Sequence, residues 1–301
     1  MRVIANRWVC LAVCVAAWSA AGWILFGDES TAGLRLQGSA GGVNNAGAET
    51  PQRIVSMAPS LTEILFALGL NEKIVGVTEY SDYPPAANEK PVIGTFWQPD
   101  IEAVVAARPD MVVTETFDTQ THLAQRLRRL GYRTLSVDVW TVADLYTSIE
   151  TIGQATGCGR EADALLKRMK DNIAQVSAQT AAGDRPKVLY VIQTQPFRAA
   201  GRQTFINELI ELAGGVNAIG PTVQKYPPIG AEHVIASAPD VIIAPKMAGV
   251  RREALLARLA RYPRIPAVVN DRVYVIDDDT VSRLSPRIDE AVATLARCIR
   301  P

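Results

Sequence analysis

Residues 101–114 read IEAVVAARPDMVVT, and residues 231–244 read AEHVIASAPDVIIA. Aligned without a gap, Glu102 falls on Glu232, Val104 on Val234, Ala106 on Ala236 and Pro109-Asp110 on Pro239-Asp240. Most of the remaining positions pair apolar with apolar. In each copy a helical pattern stops at a proline, whose ring and missing N–H end a helix, and a β-type apolar run follows. The chain therefore uses one helix–Pro-Asp–strand unit twice. Tyr83-Pro84-Pro85 is echoed by Tyr226-Pro227-Pro228, which supports a duplicated lobe.

Outward from these units the same rhythm continues. Residues 53–58, 74–78, 111–114 and 134–139 read as strands, with helical patterns at 60–68, 101–107 and 119–130 between them. After Arg185-Pro186, strands at 187–193, 241–244 and 273–276 alternate with helices at 203–212, 231–237, 251–259 and 287–299. Such alternation predicts βα units and a largely parallel sheet in each half. Between the halves, Val142, Leu145, Tyr146, Ile149 and Ile152 recur at helical spacing, and 160–182 reads as a second long helix. Ser60-Leu61-Thr62-Glu63 has the form of a capping box, with Gly69 as the stop. The expected organisation is an N-terminal lobe at 52–140, a connecting helix at 141–157 and a C-terminal lobe at 158–301.

The first residues differ in kind. Arg2 and Arg7 precede an uncharged apolar run at 8–26, and Asp28 and Glu29 follow. Residues 1–29 read as a signal peptide or a retained N-terminal membrane anchor, so the body works outside the cytoplasm. Residues 30–51, rich in Gly, Ala, Asn and Ser, read as a flexible linker. In an oxidising compartment Cys158 and Cys298 could be joined as a disulfide, the other reading being two separate buried thiols.

Composition and motifs exclude several functions. Lys+Arg 31 balances Asp+Glu 31, which leaves no basic field for nucleic acid. The sequence has no GxxxxGK phosphate loop, no GxSxG elbow, no HExxH helix and no CxxC pair. Asp277-Asp278-Asp279 reads as a solvated loop rather than a metal site. The aromatic residues carry more. Tyr80, Trp97, Phe197 and Tyr226 lie on loops, several of them beyond the carboxyl ends of strands, where open α/β sheets bind ligands. Large flat side chains there suit a large, partly apolar ligand. The competing reading is that each packs over its own lobe. Asp279 and Arg283 could hydrogen-bond amide and hydroxyl groups of a ligand, or form a surface ion pair worth little.

Taken together, RIVSMAPSLTEILFALG at 53–69, YSDYPP at 80–85, Phe96-Trp97-Gln98, the two glutamates of the repeat, Gln195-Pro196-Phe197 and RLSPR at 283–287 resemble the corrinoid-binding branch of the helical-backbone substrate-binding proteins of ABC importers. The resemblance covers about residues 52 to 300. It implies the class III periplasmic-binding-protein fold: α/β, two Rossmann-like βα lobes joined by a single rigid backbone helix, with the ligand cleft between them. It implies a monomeric, non-enzymatic protein that takes cobalamin (vitamin B12) or a related corrinoid as transported ligand, with no resident cofactor or metal. The partner would be an ABC permease dimer with its cytoplasmic ATPase. Tyr80, Trp97, Phe197 and Tyr226 would be the aromatic walls, and Asp279 and Arg283 would hold polar groups of the ligand. Glu102 and Glu232 would dock onto permease arginines; without the resemblance, a glutamate in a first helical turn is explained by the helix dipole. Tyr226 stands where the family often has tryptophan. Glu115 stands where another aromatic wall is expected, with Phe117 as its candidate replacement. The alternatives are a haem or iron-siderophore binder of the same fold, with Tyr80 or Tyr226 as iron ligand, and an exported two-domain enzyme.

Overall fold

A computed structural model describes residues 49–194, 196–246 and 251–301. The leader at 1–29 and nearly all of the linker at 30–51 lie outside the described residues. Among the described residues no helix is long and apolar enough to cross a membrane.

The first half forms a four-stranded parallel sheet of β1 (Ile54–Ser56), β2 (Ile74–Gly76), β3 (Met111–Glu115) and β4 (Thr134–Val137), in the order β2-β1-β3-β4. Helices α1 (Pro59–Ala67), α2 (Ile101–Ala106) and α3 (Asp118–Arg129) connect the strands. Helix α4 (Val142–Thr156) and helix α5 (Gly159–Thr180) then lead to the second sheet. That sheet contains β5 (Lys187–Thr194), β6 (Phe197–Ala199), β7 (Val216–Asn217), β8 (Val241–Pro245) and β9 (Val273–Ile276). Strands β7, β5, β8 and β9 pair in parallel, and β6 folds back antiparallel on β5. Around it lie α6 (Phe205–Leu212), α7 (Ala231–Ser237), α8 (Arg252–Leu259), α9 (Pro266–Val269), α10 (Asp278–Val281) and α11 (Ile288–Ile299). The two βα lobes and the helix between them match the sequence reading; the short β6, β7, α9 and α10 have too few residues for a period to be read.

The repeated unit is the same in both lobes down to its backbone. Each copy runs helix, Pro-Asp, central strand: α2 to β3, and α7 to β8. The residue before the proline is left-handed in both, Arg108 at φ 47° and Ala238 at φ 40°. A residue before proline is disfavoured in the right-handed helical region, so the helix ends there by reversing its hand. The aspartate does equivalent work in each copy. Asp110 accepts the N–H groups of Gln52 and Arg53 at 2.7 and 3.0 Å, beside β1. Asp240 accepts the N–H of Lys187 at 2.8 Å, at the start of β5.

Helix α4 is closed at both ends. Thr141 Oγ1 accepts the Asp144 N–H at 3.0 Å and Asp144 Oδ2 accepts the Thr141 N–H at 3.0 Å, while Gly157 ends the helix at φ 77°. This is a reciprocal capping box. The one expected at Ser60–Glu63 does not form. Helix α1 begins at Pro59, and Ser60 and Glu63 turn to partners far along the chain. Leu145, Ile149 and Ile152 are completely buried and join a core that includes residues of both sheets, α5 and α11. Each such side chain contributes about 1.5–3 kcal/mol. Cys158 and Cys298 are free thiols, so the disulfide does not form; of the two, Cys298 is buried and Cys158 half-buried. Cys298 is buried on α11, and the Cys158 thiol points to the Thr156 carbonyl at 3.9 Å.

Glu63 supplies the tie between α1 and the segment before α11. The Arg287 guanidinium donates to its two carboxylate oxygens, Nε to Oε2 at 2.8 Å and Nη2 to Oε1 at 2.7 Å. Both residues are buried, and Arg287 lies 3.8 Å from the Tyr83 ring centroid. Removing one partner of such a pair strands a buried charge, at a cost of about 3–5 kcal/mol, whereas replacing both by apolar groups is often near neutral. Glu63→Leu is expected to lower unfolding stability by that amount, and Glu63→Leu with Arg287→Met by clearly less; denaturant unfolding of the two variants checks it.

Candidate ligand-binding site

The carboxyl ends of the first sheet carry loops that are fixed from below. The hydroxyls of Ser56, Thr62, Ser81 and Thr78 form a buried chain, with successive oxygens 2.8, 3.0 and 3.0 Å apart. Ser56 ends β1, Thr62 lies on α1, and Ser81 sits between Tyr80 and Asp82. The chain therefore pins the loop that presents Tyr80. Trp97 is held by a tight turn: the Thr95 N–H donates to the Gln98 carbonyl at 3.2 Å, and the Gln98 N–H to Thr95 Oγ1 at 2.8 Å. Gly94, at φ 101°, precedes the turn. A Cβ there would come within 2.5 Å of the Asp100 backbone nitrogen, so only glycine fits. The turn places Phe96 and Trp97 at its tip.

These rings meet. Tyr80 and Trp97 stack at 5.9 Å with their planes 25° apart. Phe96 is edge-on to Trp97 at 6.5 Å and lies 4.6 Å from Phe117. Sequence reading selected Tyr80 and Trp97 and named Phe117 as a replacement wall. Phe96, which adjoins Trp97 in the same turn and joins its ring to Phe117, was not selected.

Arg283 joins this loop to the second lobe. Its guanidinium donates to Asp82 at 2.8 Å, lies 3.6 Å from Glu63, and lies 3.8 Å from Asp279. Asp279 and Arg283 are thus neighbours, and Asp82 and Glu63 share the arginine. Burial raises the Asp279 carboxyl, Arg283 opposing. Next to it, Asp278 is pushed up to about 6, first by burial and then by the charge of Asp279.

Phe197 and Tyr226 lie on adjacent segments of the second lobe. The Arg198 guanidinium donates to the Tyr226 carbonyl at 2.9 Å, and the Ile229 N–H to the Phe197 carbonyl at 2.9 Å. Phe197 packs on a core cluster of its own lobe, with Arg258 over its ring at 5.5 Å. Tyr226 packs against the large shared core, and burial pushes its hydroxyl up to about 12. Trp140, just beyond β4, is exposed, and the Lys225 ammonium lies 5.0 Å from its ring centre. Its position after a strand was the available signal for this contact between the lobes.

Two further side chains meet where neighbouring strands diverge. Ser60 follows β1 and Glu115 ends β3, and the Ser60 hydroxyl donates to Glu115 Oε1 at 2.5 Å. Burial pushes the Glu115 carboxyl up to about 7; the Ser60 hydrogen bond opposes this and the nearby Asp138 charge adds to it. Concavities of about 680 and 590 Å³ lie elsewhere, the first beside Tyr146, Arg185 and Glu208, the second beside Glu232 and His233. Neither is lined by Tyr80, Trp97, Phe197, Tyr226, Asp279 or Arg283. Glu102 and Glu232 are exposed in the first turns of α2 and α7. Among the described residues no group of three or more His, Cys, Asp and Glu side chains could hold a metal ion.

Residues 54–280 match the family model described as periplasmic binding protein. An uncharacterized ABC transporter substrate-binding lipoprotein of Bacillus subtilis is 32% identical over 258 residues, covering 83% of this chain and 81% of that protein. The solved periplasmic vitamin B12-binding protein of Vibrio cholerae is 26% identical, with a TM-score of 0.71, covering 83% of this chain and 97% of its own. A solved periplasmic haem-binding protein in complex with two haems is 28% identical, with a TM-score of 0.74, covering 82% and 97%.

Glu115 makes stability depend on pH. Its carboxyl moves from an ordinary 4.5 to about 7 on folding, so the folded state favours the neutral form. The stability this contributes is fully present below about 4.5 and is lost as pH rises through about 7. Asp278, raised to about 6, acts in the same direction. Glu115→Gln is expected to flatten the fall in melting temperature between pH 5 and 8, removing up to about 3 kcal/mol of pH-dependent stability. An unaltered slope would assign the titration to another group.

Proposed function

We infer the function from one premise: the chain belongs to the periplasmic binding protein family. It is a substrate-binding protein of the ABC-importer type and works outside the cytoplasm. We propose that its ligand is cobalamin or a related corrinoid, bound between the lobes and delivered to a permease dimer driven by a cytoplasmic ATPase. The observation that carries this reading is the stacked Tyr80–Trp97 pair beyond the carboxyl ends of the first sheet, tied by Asp82 and Arg283 to Asp279 of the second lobe. Flat apolar walls beside a polar cluster suit a large ring whose rim bears hydrogen-bonding groups. Phe197 and Tyr226 would close the cleft from the second lobe. No catalytic step is assigned to these residues. Residues 8–26 would hold the protein at the membrane if they are retained.

Haem is the second reading, because a haem-binding protein is among the structural neighbours. Tyr80 or Tyr226 would then be the iron ligand. Visible spectra of the purified protein after incubation with cobalamin or haem, followed by gel filtration, separate the two.

Glu102 and Glu232 would dock the two lobes onto permease arginines. In the first lobe Asp100 already caps α2, accepting the N–H groups of Glu102 and Ala103 at 2.9 and 3.2 Å. Asp100 thus supplies the cap there, while Glu102 in the same turn gains from the helix dipole whether or not it also docks. Helix α7 has no side-chain cap, so Glu232 can serve both roles.

Two outcomes are expected. Trp97→Ala should weaken cobalamin binding roughly ten- to a hundred-fold, the equivalent of about 1–3 kcal/mol of aromatic burial, with the fold intact by circular dichroism. Glu102→Ala with Glu232→Ala should leave cobalamin binding unchanged and lower import in proteoliposomes that contain the permease, since rim charges steer and orient the encounter. Normal import would return both glutamates to the helix-dipole role.

A further inference from the structure

The first sheet has the order β2-β1-β3-β4. From β1 the chain passes to β2 on one side, and then returns to β3 on the other. The connections leave β1 and β3 in opposite directions, which opens a crevice at their carboxyl ends, the place where open α/β sheets take ligands. Ser60 and Glu115 stand at its two sides and are joined across it by the 2.5 Å hydrogen bond.

Glu115 is also tied to the aromatic cluster. Gln120 accepts the Glu115 N–H at 2.7 Å and donates to the carbonyls of Phe96 at 3.1 Å and Met57 at 2.6 Å. Phe117, two residues on, lies against Phe96. The carboxyl thus belongs to the same local scaffold as the ring that flanks Trp97. Among the described residues, Ser60 is the one hydrogen-bond donor to that carboxyl, and no Lys or Arg pairs with it. Above about pH 7, where Glu115 is ionised, its carboxylate can accept about four hydrogen bonds, so acceptor capacity is left over. The charge acting on it from the neighbouring strand is that of Asp138 beyond β4, another acid, which in turn accepts a hydrogen bond from Thr116.

We propose that Glu115, anchored by Ser60, selects the rim chemistry of the bound ring: it accepts N–H donors from an amide-rimmed macrocycle and disfavours one rimmed with carboxylates. This rests on the reading that the cleft takes a flat macrocycle. A primary amide meets an acceptor with unused capacity. A carboxylate in the same place would bring a further negative charge to a half-buried acid that already has Asp138 nearby, with no cation among the described residues paired to it.

The test uses the full chain in mild detergent, buffered at about pH 8 so that Glu115 is ionised, and three probes: cobalamin, cobalamin with one rim amide hydrolysed to a carboxylate, and haem. Wild-type protein is expected to bind the monocarboxylate at least tenfold more weakly than cobalamin for hydrolysis at the position that faces Glu115. Glu115→Gln, nearly the same size and able to donate to a carboxylate, should cut that ratio about tenfold and tighten haem binding. Ser60→Ala should move the ratio in the same sense by a smaller factor, and provides a second reading if Glu115→Gln folds poorly. Unchanged ratios in both variants, for every hydrolysed position, would overturn the proposal. If wild-type protein binds no corrinoid, the ligand assignment fails and the haem arm decides: tighter haem binding by Glu115→Gln supports the selective role, and unchanged binding ends it.

Discussion

The bidentate bond between Glu63 and Arg287 organises much of what surrounds it. It joins residues 224 positions apart and buries both charges. Two buried ions are stable only when each satisfies the other, so the geometry of this pair constrains everything attached to it. Tyr83 lies over Arg287, Arg283 stands beside the same carboxylate, and Asp82 takes the other side of Arg283. The loop that carries Tyr80 is thereby held from two directions, by the hydroxyl chain below it and by the arginines beside it.

The fold was legible because its decisive signals are local. A proline after an amphipathic stretch ends a helix wherever it occurs, and the apolar run after Pro109-Asp110 or Pro239-Asp240 is long enough to mark a strand. The duplicated reading gains its physical content from the structure. Arg108 and Ala238 adopt the same left-handed turn, and Asp110 and Asp240 receive N–H groups next to equivalent strands. The contacts of the two aspartates depend on partners more than fifty residues away, which no window along the sequence contains.

The site was legible in its residue types and less so in its connections. Aromatic side chains beyond strand ends stand out in a chain with only 6% aromatics, and Tyr80 and Trp97 do meet. Ser60 and Glu63 show where local reading fails. Their spacing fits a capping box, yet each has a distant partner that competes better: Glu115 for the serine, Arg287 for the glutamate. The box that does form, at Thr141–Asp144, has no such competitor. Glu115 was read only as a departure from an expected aromatic wall; its bond to Ser60 went unseen because nothing near it in sequence announces that β1 and β3 lie side by side.

The shared core has a consequence for the order in which the protein folds after synthesis. Residues of β1, α1, β3 and α4 pack into the same cluster as residues of α5, β5, β8 and α11. When the first half of the chain has emerged, its sheet can pair, but one face of α4 still lacks its cover and Glu63 has no counter-ion. Both deficits are met only by residues of the second half. The early half by itself is therefore incomplete, with a solvated acid where the finished protein has a buried one.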